Sequence, residues 1–165
     1  MIIKPDPKLD LVLERVIDVP REIVWECWTK AEHIPHWFVP RPWKVVECEL
    51  DLRPGGKFFT VFQSPDGQKF PNHGCYLEVT PHERLIWTDT LHEGYRPSGK
   101  GFLPEDMPLT AILTFTADGK GTRYNATCLH KSEEGRKKHE AMGFFEGWGT
   151  CIDQLVEYSK TMKRG

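Results

Sequence analysis

The stretch S-E-E-G-R-K-K-H-E-A-M-G-F-F-E-G-W-G-T-C-I-D-Q-L-V-E-Y-S-K, residues 132–160, is the one long helical signal in the chain, and it decides how the rest must be arranged. Ser132 is a good N-cap, and Glu133 and Glu134 suit the positive end of a helix. The pairs Glu133/Lys137 and Glu134/Lys138 are spaced i,i+4, and Lys160, Lys163 and Arg164 suit the negative end. Ala141, Met142, Phe145, Trp148, Ile152, Leu155 and Val156 recur at helical spacing, so one broad apolar stripe needs a surface to cover it.

That surface is supplied upstream. Leu9 to Val19 alternates, with Leu9, Leu11, Leu13 and Ile17 on one parity and Asp10, Glu14 and Asp18 on the other, the period of a half-buried strand. Pro20 stops it and starts a short helix carrying Ile23/Cys27 and Val24/Trp28 on one face. Lys30 to Ile34 forms a further turn before the proline-rich segment 35–42. From Trp43 the pattern is strand-like again, broken by turn chemistry at 53–56, 64–67, 80–83 and 117–121. The implied strands, 43–52, 57–63, 70–79, 84–92, 109–117 and 122–131, are joined by connections short enough for antiparallel neighbours. Residues 93–108 form a longer connection, read either as a functional lid or as an ordered cover for a sheet edge. The order is therefore β-α-α-β6-α: an α+β fold with a curved antiparallel sheet of about seven strands around a long C-terminal helix. We expect one domain over residues 1–165, with its core in 8–162.

Bulk properties exclude several partners. The 165 residues carry 22 Lys and Arg against 24 Asp and Glu, a formal charge of −2, with no run of like charge to attract nucleic acid or anionic lipid. No apolar stretch reaches the length of a membrane span, so a cytoplasmic protein without membrane insertion is expected. Five widely scattered cysteines form no C-x-x-C pair and read as reduced thiols. The nearest metal-like group, His33 and His36, falls short of a ligand set, so no metal and no cofactor is expected. Gly99 to Gly101 and Gly119 to Gly121 read as turns and not as phosphate loops.

Strand parity suggests which side chains face the helix. Val46, Cys48 and Leu50, then Phe58 and Phe62, Cys75 and Leu77, Leu85 and Trp87, Leu113 and Phe115, and Tyr124 and Cys128 would make an apolar interior. Arg15, His73, Asp89 and His130 are ionisable exceptions. Either they sit at the wet end of an internal pocket, or the parity slips at a bulge, or Arg15 and Asp89 form a partly buried pair; the residues leave these open. The expected cavity-lining set is Phe58, Phe62, His73, Trp87, Asp89, Phe115, Tyr124, His130, Met142, Phe145 and Trp148. No G-x-S-x-G elbow exists and no cysteine has a local histidine activator, so no catalytic residue is assigned.

The motifs Val19-Pro20-Arg21-Glu22-Ile23-Val24-Trp25, Trp37, Asp51-Leu52-Arg53-Pro54-Gly55-Gly56-Lys57-Phe58, Pro65-Asp66-Gly67, Thr80-Pro81-His82-Glu83-Arg84-Leu85, Gly147-Trp148 and Ile152-Asp153-Gln154-Leu155 span nearly the whole chain in order. Together they resemble the START-like (SRPBCC) superfamily, within it the bacterial group similar to the C-terminal domain of the activator of the heat-shock-protein-90 ATPase. The resemblance implies a helix-grip fold and a cavity for a small hydrophobic molecule, lipid-like, polyketide-like or aromatic. Two rival readings stand beside that binding role: a cyclase- or hydrolase-type enzyme using Asp89, His73 or His130, and a co-chaperone-like interaction domain. The eukaryotic activator has two domains and this chain looks like the second, and the chaperone is the partner which that interaction reading implies. The oligomeric state is not encoded in any of these features.

Overall fold

Alternation over Asp10–Ile17 builds the first strand, β1, and Pro20 turns the chain into helix α1, Arg21–Thr29. Val24, Cys27 and Trp28 form its buried face. Pro35 then permits only a 3-10 turn at Ile34–His36, slightly later than the expected second helix. Four strands follow as hairpins: β2 Lys44–Leu50, β3 Lys57–Gln63, β4 Lys69–Thr80 and β5 Arg84–Thr88. A small ladder of β6 (Leu91–His92) with β7 (Arg96–Pro97) stands apart from the main sheet. The chain returns through β8, Leu109–Asp118, and β9, Gly121–His130, and ends in α2, Glu133–Ala141, and α3, Phe144–Ser159. The computed structural model describes residues 3–98 and 107–162. The expectations for Gly99 to Gly101, for most of the 93–108 connection beyond β7, and for Lys163 and Arg164 lie outside the described residues.

All pairings in the seven-stranded sheet are antiparallel, in the order β1-β9-β8-β5-β4-β3-β2. β1 and β2 are consecutive in the main sheet by sequence yet sit at its opposite edges, so α1 and the 3-10 turn must cross its inner face. There they meet α3. Trp28 packs edge-on to Trp37 at 4.9 Å, and both belong to one core with Leu113, Phe115, Tyr124, Ile152 and Leu155.

Two features differ from the sequence reading. The expected single C-terminal helix is two helices, broken at Met142 and Gly143. Gly143 takes φ 98°, a left-handed conformation that costs a side-chain-bearing residue roughly 1–2 kcal/mol. The glycine inside the apolar stripe marks the joint. The cap was read correctly, since Gly135 N–H donates to Ser132 Oγ at 3.0 Å, and both i,i+4 pairs form, at 3.2 and 3.3 Å. The second difference is parity. Bulges interrupt β2 between Val45 and Glu47 and β4 between Tyr76 and Glu78. Val45 is therefore buried and Val46 exposed, the reverse of the expected face.

Candidate functional site

The inner surface of the sheet is filled unevenly. Below the C-terminal half of α3, Ile152 and Leu155 pack into the sheet and α1 with no exposure above 1%. Below its N-terminal turns and the break at Gly143, a hollow of about 260 Å³ remains. Its walls are Trp28, Trp37 and Phe38 from α1 and the segment after it, Phe62 from β3, Trp87 from β5, Leu109 from β8, Tyr124 from β9, and His139, Met142, Phe144, Trp148 and Cys151 from the two last helices. Apolar rings dominate, and among the described residues no Lys, Arg, Asp or Glu lines it.

One wall is held by an unusual device. Val39 has φ 107°, a strained conformation for a β-branched residue, and it persists only where neighbours over-determine it. Gln154 of α3 supplies that control. Its Nε2 donates to the carbonyls of Trp37 at 2.9 Å and Val39 at 2.8 Å, while its Oε1 accepts from Arg41 N–H at 3.0 Å. A single buried amide thereby fixes residues 37–41 against the helix. Arg15 ties β1 to the same helix, donating to Asp153 Oδ1 at 2.9 Å and to Gly149 O at 3.3 Å. The open alternative of an Arg15–Asp89 pair is therefore not realised.

Five of the expected lining residues surround the hollow: Phe62, Trp87, Tyr124, Met142 and Trp148. The other six lie elsewhere. Phe58 is fully buried beneath Trp87, edge-on at 4.9 Å, and Phe115 is packed in the filled end against Trp25 and Tyr124. Phe145 points outward beside Phe144. Asp89 is buried past the end of β5, where its carboxylate accepts Leu109 N–H at 2.9 Å. His73 lies on the outer face, beside Phe59 and His92, because inward parity in β4 is even before the bulge and odd after it. His130 sits one layer behind the wall. His139 of α2, which the sequence analysis did not single out, lines the hollow in its place.

His130 and His139 form a chain. His130 Nδ1 lies 2.9 Å from Leu9 O, and His130 Nε2 lies 2.9 Å from His139 Nδ1. Burial pushes His139 down to about 4, with the neighbouring His130 charge adding to it, and burial also lowers His130. At neutral pH both rings are therefore uncharged. Of the other polar groups on the wall, the Tyr124 hydroxyl accepts from Trp28 Nε1 at 2.9 Å, and Trp37 Nε1 donates to Cys27 O at 3.0 Å. Burial raises the Cys151 thiol to about 11 and Cys27 and Cys48 to about 12, so none is a ready thiolate. All five cysteines are free. Among the described residues no cluster of three metal-ligating side chains occurs, and His33 and His36 instead engage Tyr158, by a 2.7 Å hydrogen bond and by ring stacking at 4.4 Å.

A larger hollow of about 560 Å³ lies on the outer face of the sheet, rimmed by Ile3, Pro5, Arg21 and Glu83 and floored by residues such as Thr114, Thr127 and Asn125. It is an open groove of mixed lining, with Ile86 and Ile112 among Thr, Asn, Arg and Glu side chains, lacking the convergent apolar walls of a small-molecule site.

A curved antiparallel sheet gripping a C-terminal helix over a partly unfilled interior defines a helix-grip domain, the ligand-holding architecture of the START-like superfamily. Residues 18–160 match the family described as activator of Hsp90 ATPase homolog 1-like protein, and the chain belongs to that family. A crystal structure from Nitrosomonas europaea is similar at 48% identity and a TM-score of 0.88, covering 95% of this chain and 97% of that one. A Rhodobacter sphaeroides protein shares the fold at 19% identity and a TM-score of 0.80, with 97% of each chain covered. One from Mycobacterium smegmatis does so at 23% and 0.76, covering 99% of each. No curated protein matches the chain. Among the described residues no helix is long and apolar enough to cross a membrane.

Proposed function

We propose that the protein binds a small hydrophobic molecule in the hollow between the sheet and the start of α3. The observation that carries this reading is the unfilled space of about 260 Å³ walled by four tryptophans and three phenylalanines, in a family whose fold holds ligands. Small-molecule pockets run from roughly 300 to 1,000 Å³, so the guest is at the small end, a ring system or a short chain. Stiff aromatic walls favour a flat guest, which stacks edge-on or offset against them. We read that binding as the work of a carrier or sensor, a role supported by walls made mostly of apolar rings.

Trp28, Trp37, Trp87 and Trp148 provide a built-in readout. Titration with 4-butylanisole, an uncharged apolar probe, is expected to quench tryptophan emission saturably, and Trp148→Ala to weaken binding. A flat titration with this probe and with an aliphatic analogue such as octane-1-thiol methyl ether would remove the support for a guest site.

A further inference from the structure

The two histidines behind the hollow fix each other's protons. A carbonyl oxygen only accepts, so the contact from His130 Nδ1 to Leu9 O at 2.9 Å requires the hydrogen on Nδ1. In the neutral ring His130 Nε2 is then an acceptor, and the 2.9 Å contact to His139 Nδ1 requires that atom to carry the hydrogen. His139 Nε2 is left with a bare lone pair. It has no hydrogen-bond partner among the described residues, although His139 is only 5% exposed and lines the hollow. Leu9 O holds His130, and His130 in turn sets the tautomer and orientation of His139.

We propose that His139 Nε2 is the polar anchor of the site and accepts a hydrogen bond from the hydroxyl or amide N–H of an otherwise apolar, uncharged guest. The inference rests on the reading of the hollow as a ligand site and adds the guest's chemistry. Two facts narrow the class further. Among the described residues the walls contain no Lys or Arg to balance an anion, and an acceptor lone pair repels a carboxylate, which only accepts. Free fatty acids and aromatic acids are therefore disfavoured, while phenols, alcohols and amides fit. The Tyr124 hydroxyl already receives Trp28 Nε1, so it is not a second bare acceptor on the same terms.

The test compares three probes of one shape at pH 7.5: 4-butylphenol, its methyl ether 4-butylanisole, and 4-butylbenzoate. Affinity is read by tryptophan quenching, and the His139 Nε2 nitrogen shift by NMR of the 15N-labelled protein. The expected result is about tenfold tighter binding of the phenol than of the ether, the size of one well-made buried hydrogen bond, with the benzoate weakest. Saturating phenol should move the Nε2 resonance away from its bare-acceptor position, and the ether should not. His139→Phe is expected to abolish the phenol preference while the ether still binds. Equal affinities, a benzoate preference, or a phenol preference without movement of Nε2 would each overturn the anchor and leave the hollow as an apolar site. Failure of all three probes to bind would overturn the binding reading itself and the anchor with it. The NMR arm needs no variant, so a poorly folded His139→Phe protein does not spare the inference.

Discussion

The two ends of the interior, both covered by α3, are packed on different terms. At the C-terminal end Ile152 and Leu155 drop between α1 and the sheet, and flexible aliphatic side chains close the space. At the N-terminal end large rings meet at steep angles: Trp37 and Phe38 at 88°, Phe58 and Trp87 at 88°, Trp28 and Phe38 at 76°. Rings packed edge-on leave gaps that other rings are too rigid to fill. The helix break at Gly143 sits over this end, so no continuous stripe of side chains descends into it. One end is a core and the other a receptacle, although hydrophobic composition alone would make them look alike.

The sharpest way to break the comparison is to hollow out the filled end. Leu155→Ala is expected to destabilise by about 2–5 kcal/mol, read from the urea midpoint, because a fully buried leucine leaves a cavity its neighbours close only in part. Acid should act next most strongly, and at the open end. His139 titrates at about 4 in the folded state against an ordinary 6.5, so between these values the unfolded chain takes up the proton first. Stability is then full above pH 6.5 and falls as the pH drops toward 4, by roughly 3 kcal/mol from this residue. His130, lowered by burial too, acts in the same direction. A urea midpoint independent of pH over that interval would contradict a buried neutral His139.

Gln154→Leu separates the ends more finely. Three hydrogen bonds to residues 37–41 disappear, at an expected cost of about 1–3 kcal/mol, and binding of an apolar probe should weaken as the wall loosens. If stability falls and affinity does not, the Gln154 clamp serves only the core. The smallest effect is expected at the rim. Met142→Ser should leave stability within about 0.5 kcal/mol, since Met142 is 53% exposed, and should alter probe affinity only.

Most of the architecture was legible because alternation and turn chemistry are local signals. The strands expected at 57–63, 109–117 and 122–131 appear at Lys57–Gln63, Leu109–Asp118 and Gly121–His130. The interior was less legible, for reasons that can be named. A bulge gives the two parts of a strand opposite inward parities without changing the pattern of residue types, so a single odd parity carried through β4 put His73, upstream of the break between Tyr76 and Glu78, on the wrong side. Asp89 sits beyond the end of its strand, where parity no longer governs direction, and it serves the backbone of Leu109. His139 was overlooked because a histidine between Lys138 and Glu140 reads as solvent-facing. Only its spacing from Met142 and Phe144 across Gly143, and the presence of His130 at the end of β9, hinted otherwise.

The crossing from β1 to β2 has a mechanical corollary. Those strands are the opposite margins of the sheet, and residues 18–43 span between them like a bowstring, with Trp28 and Trp37 gripping the middle. Flattening the sheet would stretch this span, and tightening its bow would slacken it. The bend of the β-surface, and with it the depth of the hollow, is therefore set by a length of chain that touches both edges, so the volume offered to a guest is gauged by the span's length as well as by the side chains facing it.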